Sequence, residues 1–338
     1  MKRTDLPRPE DLSCLVDLHL HLDGALSPAS VRALAAAQDI PVPADETELL
    51  KLIRVGKDCR SLNDFLTKFA FPCSLLQTAG ALTAAVRTLL CELKEQGVMY
   101  AEIRFAPQLS TEKGLSQSEV VEAAVAGLAD APIPAQLILC CMLGAKEEVN
   151  RETVLTAGRY LGKGVCALDI AGAEALYPLD RYAGLFSLAR SLRVPFTIHA
   201  GEAAGADNIR TALRFGASRI GHGVRAGEDP ALVRELARRG IPLEMCPTSN
   251  LCTAVLSDLA DYPLRAFTEA GVCVTVNTDD PSIEGTTLRE EYRALIDSLG
   301  LTRGEVTRLL CNAVDASFAP GKLKRRMKRQ VRAALKAV

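Results

Sequence analysis

Hydrophobic and polar positions along this chain fall into two alternating patterns. Short runs rich in apolar and β-branched residues recur at 15–22 (LVDLHLHL), 98–107 (VMYAEIRFAP), 135–143 (AQLILCCML), 165–172 (VCALDIAG), 194–201 (VPFTIHAG), 219–224 (RIGHGV), 242–248 (PLEMCPT) and 272–280 (VCVTVNTDD). Each has the length and composition of a largely buried strand. Between them lie longer stretches such as 81–96 (ALTAAVRTLLCELKEQ) and 230–240 (PALVRELARRG), whose apolar residues recur at the three- and four-residue steps of one buried helix face. Gly97, Gly216, Gly240 and Gly271 follow such stretches and predict helix stops. Eight strand-then-helix units running one way predict parallel strands, because each crossover carries a helix. Eight is also the number that closes a (β/α)8 barrel, an α/β fold that needs about 250 residues; a doubly wound open sheet is the alternative. Residues 28–80 are too long for one crossover and predict extra helices over the barrel mouth. With no fixed-period repeat or low-complexity linker, 1–338 reads as a single barrel domain.

Composition narrows the setting. Of the 338 residues, 48% are hydrophobic and 24% charged, and a formal net charge of -1 gives no electrostatic reason to expect nucleic acid or a membrane surface as partner. No apolar run approaches the roughly 18 residues that span a bilayer, and the polar start up to Leu12, with Pro7 and Pro9, lacks the apolar stretch of a signal peptide. Eleven irregularly spaced cysteines without a C-x-x-C pair argue against a disulfide framework or a cysteine zinc site. A reducing, cytoplasmic location is the simplest expectation. The segment 321–338 carries a run of Lys and Arg and reads as a solvated terminal helix or tail.

The candidate chemistry sits at strand ends. All four histidines, His19, His21, His199 and His222, lie in predicted strands or near their C-terminal ends, where a (β/α)8 barrel assembles its active site. His19 and His21 are two apart and so share one face of a strand, offering two imidazoles to one ion. His199 and Asp279 add a nitrogen and a carboxylate, a set suited to zinc, with iron, cobalt or nickel also compatible. Glu202, at the turn after His199, has a carboxyl group placed to act as general acid or base; its plainer role is a negative charge near a helix N-terminus. His222 lies between two glycines that let backbone approach a ligand. Asp280 follows Asp279 directly, and adjacent carboxylates repel unless a metal and hydrogen bonds hold them. Phosphate-loop, H-E-x-x-H, G-x-S-x-G and cytidine-deaminase patterns are all absent.

These residues fall in motifs that, in series, resemble the adenosine deaminase family: LHLHLDGALSP (18–28), SLNDFLTKF (61–69), YAEIRFAPQL (100–109), ALDIAGAE (167–174), HAGE (199–202), IGHG (220–223), CPTSN (246–250) and NTDDP (277–281). The resemblance implies the barrel fold, one Zn2+ per chain on His19, His21, His199 and Asp279, and a water orientated by His222. It implies that Glu202 protonates purine N1, that Asp280 contacts the attacking hydroxide and the purine edge, that Gly172 contacts N3 through its backbone, and that Asp23 binds the ribose 5′-hydroxyl. The implied reaction is hydrolytic deamination of a small-molecule purine nucleoside: adenosine, and with it 2′-deoxyadenosine, to the inosine product and ammonia. Asp23, where adenine deaminases of the family commonly have glutamate, favours a nucleoside and repels a 5′-phosphate. Leu62, Phe65, Leu66 and Phe69 share one helical face, as core or as a lid over the ribose. Ala173 and Leu143 depart from residues frequent in the family. A sibling aminohydrolase of adenine or an N6-substituted aminopurine is the alternative, followed by a non-catalytic nucleoside-binding barrel.

Overall fold

A computed structural model of the protein describes residues 12–56 and 59–335. Its eight strands are β1 (Leu15–His21), β2 (Val98–Phe105), β3 (Ala135–Met142), β4 (Val165–Ala171), β5 (Thr197–Ala200), β6 (Arg219–His222), β7 (Leu243–Met245) and β8 (Val274–Val276). Each falls within a run read from the hydrophobic pattern. All neighbours pair in parallel, as β1-β2-β3-β4 and β5-β6-β7-β8. Two seams join these halves into a closed (β/α)8 ring. At one seam the Leu168 region meets Phe196, with Leu168 N donating to Pro195 O at 2.9 Å. At the other, His21 N donates to Asp279 O and Asp279 N to His19 O, each at 2.8 Å.

The last four strands are shorter than their apolar runs because the backbone turns early. His222 (φ 58°) and Asp279 (φ 70°) take left-handed conformations uncommon for side-chain-bearing residues, and Pro247 opens a helix directly after β7. The helix Pro230–Arg239 shows why the crossovers form where they do. Asp229 caps it by accepting from the N–H groups of Ala231 and Leu232, proline occupies its first turn, and Gly240 ends it at φ 62°. The insertion after β1 folds as Pro28–Ala36, Glu46–Ile53, Leu62–Leu66 and Ala70–Leu75 before the long crossover Ala79–Glu95. Residues 321–334 of the basic segment form a helix whose Met327 and Val331 are buried and whose Lys328 pairs with Asp315 at 2.5 Å; 336–338 lie outside the described residues. All eleven cysteines are free. Among the described residues no single helix is long and apolar enough to cross a membrane.

The inside of the barrel departs from the usual aliphatic filling. Alternate strand residues Val16, Leu18, Leu20, Ile103, Ile198 and Ile220 join the main hydrophobic core, while the intervening positions carry buried charge. Arg219 pairs with Glu102 Oε2 at 2.7 Å and with Glu244, and donates to Ala316 O at 3.0 Å. Glu102 also accepts from Tyr100 Oη and Phe318 N. Glu102 therefore has Arg219 as its ion-pair partner, with both groups buried, while Glu244 is shared between Arg219 and Arg104. Arg219→Leu is expected to cost about 3–5 kcal/mol, the range for breaking a buried pair from one side, seen as a lower denaturant midpoint. A loss under about 1 kcal/mol would show that the network reorganises.

Candidate active site

His19 and His21 project from β1 towards the carboxyl rim of the barrel, where they meet His199 from β5 and Asp279 just beyond β8. His19 Nε2 lies 3.0 Å from His199 Nε2 and 3.1 Å from Asp279 Oδ1. His21 Nε2 lies 3.3 Å from each of the same two atoms. Separations of this size are what neighbouring ligands show around an ion bound at about 2.0–2.1 Å. The donors are imidazole nitrogens and a carboxylate oxygen, the set suited to zinc and other divalent transition metals. Asp279 also accepts from Ser249 Oγ at 2.8 Å.

Behind this set lies an arrangement of charges that fixes the imidazoles. His19 Nδ1 is 2.9 Å from Glu244 Oε2. His199 Nδ1 is 2.9 Å from Asp169 Oδ2, off the straight hydrogen-bond line. Arg104, fully buried, clamps both carboxylates: Nη1 reaches Asp169 Oδ2 at 2.7 Å and Nη2 reaches Glu244 Oε2 at 2.9 Å, and Nη2 also donates to Leu18 O at 2.6 Å. Burial alone would raise the pKa of Glu244, but Arg104 and Arg219 hold it well below the carboxylate range. Asp169 is likewise held low against burial by His199 and Arg104. Carboxylates on the far ring nitrogens fix the tautomer that leaves Nε2 free for a metal. Two guanidiniums face Glu102, Glu244 and Asp169, with Asp279 beside them. The surplus negative charge also favours a cation at this place.

Beside these donors a cavity of about 250 Å³ opens to the rim. It is lined by His21, Asp23, Gly172, His199, Glu202, His222, Asp279 and Asp280, and closed on its apolar side by Leu62, Phe65, Leu66 and Phe69. The helical face read from the sequence ends at Leu66, and a 3-10 turn over Thr67–Phe69 carries Phe69 to the same wall. His222 Nε2 lies 3.6 Å from both Glu202 Oε2 and Asp279 Oδ2. Its other nitrogen, Nδ1, faces Asn250 Nδ2 at 3.4 Å. Burial keeps His222 neutral, well below the usual imidazole pKa. Burial raises Glu202 to about 8, with the charges of Asp279 and Glu174 adding to it. Asp280 is pushed up by burial and by Asp279, Asp23 and Glu202. Glu202 Oε1, Asp280 Oδ1 and Asp23 Oδ1 are buried without a hydrogen-bond partner among the described residues, although buried polar atoms are normally satisfied. Such orphaned atoms around one cavity are the mark of a polar ligand's site. Gly24 is needed here, since a Cβ would stand 1.7 Å from Asp280 Oδ1.

Every site residue read from the sequence thus meets at one cavity or its adjoining donor set. Arg104, Asp169, Glu244 and Gly24 were not singled out. The signal for Arg104, Asp169 and Glu244 was a polar residue at alternate positions of an otherwise apolar strand, in IRF, LDI and LEM.

A closed parallel barrel with convergent imidazole and carboxylate donors at its carboxyl rim defines a (β/α)8 enzyme with a metal-type centre. Comparison narrows the class. The family described as Adenosine deaminase matches residues 14–334. A relative from Haemophilus ducreyi, called adenosine deaminase, is 46% identical over 314 residues, covering 90% of this chain and 91% of its own. Among solved structures, an adenine deaminase from Arthrobacter aurescens is 28% identical with a TM-score of 0.88, covering 96% of this chain and 99% of its own. An Arabidopsis N6-mAMP deaminase is 25% identical with a TM-score of 0.83, covering 97% and 98%. The chain belongs to the adenosine deaminase family and is an enzyme of the hydrolase class.

Asp169→Asn keeps the shape beside His199 but removes the charge. It is expected to weaken divalent-metal retention about 10- to 100-fold, the usual effect of losing such a partner, measured by competition against a chelator. Unchanged retention would separate Asp169 from the metal centre.

Proposed function

We propose that this protein catalyses zinc-dependent hydrolytic deamination of adenosine, and of 2′-deoxyadenosine, to the inosine product and ammonia. The observation that carries the reading is the placement of a neutral imidazole, His222, and a buried carboxylic acid, Glu202, within one cavity beside the four-donor set. His19, His21, His199 and Asp279 would hold the metal. When bound, the metal supplies a water whose pKa lies near neutrality.

The chain's own residues do the rest. His222, neutral through burial, takes a proton from the attacking water and orientates it. Glu202 enters protonated and gives its proton to purine N1, which makes C6 electrophilic. Oxygen adds to C6 and the C6–N6 bond breaks as the amino group leaves. Of the water's two protons, one ends on ammonia and the other restores Glu202. Asp280 contacts the attacking oxygen and the purine edge, and the backbone of Gly172 meets N3. Asp23, buried with Cys73 Sγ donating to its Oδ2 at 3.4 Å, takes the 5′-hydroxyl and leaves no place for a phosphate. The chain forms one barrel domain.

Glu202→Gln is expected to lower kcat by orders of magnitude, as general-acid loss does (about 10²–10⁴-fold), while metal content stays unchanged. Because the acid form is required, kcat/KM should fall as pH rises through the Glu202 pKa. Burial places that near about 8, and a bound cation can only lower it, so the decline falls at or below that pH. Near-full activity in the variant would sink the mechanism.

A second reading has an observation behind it: the structural neighbours named above are deaminases of adenine and of a methylated nucleotide. Ammonia or methylamine release from adenosine, adenine, adenosine monophosphate and N6-methyladenosine, with and without metal stripping, separates the two. Turnover confined to adenosine supports the reading of Asp23. Turnover of another of these substrates instead of adenosine keeps the barrel and acid–base roles and overturns the substrate.

A further inference from the structure

Glu174 lies three residues beyond β4, is 4% exposed and is not part of the cavity lining, although its charge adds to the raised pKa of Glu202. Its carboxylate accepts four hydrogen bonds. Oε1 accepts from Gly201 N at 2.7 Å and Asn208 Nδ2 at 3.1 Å, and Oε2 accepts from Glu202 N at 3.0 Å and Ala204 N at 2.9 Å. Three backbone N–H groups of one turn therefore point at a single anion, the concave arrangement in which successive amides bind negative charge. The contacts gather on the turn rather than on the helix Ala206–Phe215 that follows it. Only Asn208 belongs to that helix, whose N-cap, Gly205, offers no side chain.

The turn is one that a free chain would not hold unaided. Gly201 sits at φ +73°, and a Cβ there would stand 2.4 Å from Ile209 Cδ1. Glu202 comes next, its backbone N–H bound to Glu174 and its carboxyl in the cavity, 3.6 Å from His222. Each of these bonds to a carboxylate is charge-assisted and roughly twice as strong as its neutral counterpart. The carboxylate thus ties the loop after β4 to the loop after β5 at the residue that must reach the substrate.

We infer that Glu174 is a positioning residue, whose carboxylate fixes the turn 201–204 so that the Glu202 acid meets the ring nitrogen it protonates. This rests on Glu202 being the proton donor. A glutamine cannot substitute, because its amide nitrogen would face two N–H donors where an oxygen accepted them.

The test is a double-mutant cycle of Glu174→Gln and Glu202→Gln on the metal-loaded enzyme, at enzyme concentrations high enough to read residual turnover. Glu174→Gln alone should lower kcat about 10²-fold, the effect of misplacing a catalytic group by about 1 Å. KM and metal content should hold. In the Glu202→Gln background the same change should cost less than about 2-fold, because no acid remains to be placed. Equal losses in both backgrounds, or a rise in KM with kcat kept, overturn the inference. Should Glu174→Gln fail to fold, Asn208→Ala removes one donor and leaves the backbone contacts. A few-fold kcat loss seen only when Glu202 is present supports the assignment, and unchanged kcat overturns it. Near-full activity in Glu202→Gln alone would instead overturn the proposed function.

Discussion

Arg104 is the constraint on which the rest of the site depends. A guanidinium in the centre of a protein is costly unless its charge and its directed donors are met. Here Asp169, Glu244 and the Leu18 carbonyl meet the charge and the two Nη groups at 2.6–2.9 Å, while Nε has no partner among the described residues. The same two carboxylates address the far nitrogens of His199 and His19. One buried cation therefore sets the orientation of imidazoles from β1 and β5, on opposite halves of the ring. Because the geometry of donor atoms is fixed from behind, they can sit 3.0–3.3 Å apart without relaxing away from one another. A cluster of this kind has no stabilising use by itself, and its natural completion is a bound cation.

Around that centre, three carboxyl groups differ in their readiness to ionise. Asp279 is held ionised against burial chiefly by His19, through its charge and a hydrogen bond. Asp280 and Glu202 are driven the other way, by burial and by the charge of Asp279. Separating the proton affinities of neighbouring acids assigns them separate roles. The apolar wall of Leu62, Phe65, Leu66 and Phe69 strengthens the effect by keeping water from the cavity. The insertion after β1 therefore serves the chemistry although none of its own residues between 28 and 72 carries a charge into the cavity lining.

Much of the architecture was legible along the chain. Eight apolar runs became eight strands because parallel strands covered by helices bury an unbroken apolar side, and glycine stops such as Gly216 and Gly240 took the left-handed conformation that ends a helix. The residues that meet at the cavity were legible for a different reason. His19, His21, His199, His222, Asp279 and Asp280 are polar groups at the ends of apolar strands, where burial without a task would be costly. Less legible were Arg104, Asp169, Glu244 and Glu174. Each is one polar residue in an apolar context, and its meaning lies in a partner 27 to 140 residues away.

The sequence by itself therefore determined the order and type of the elements, the closure number of the barrel, and the polar groups that gather at its rim, because periodicity and residue type are local properties. Only the tertiary structure decided which carboxylates are held ionised and which are pushed towards protonation, which imidazole nitrogen is free, and which backbone turn is held for Glu202. Those properties depend on distance and on exclusion of water, and both arise only when strands far apart in the chain close on one another.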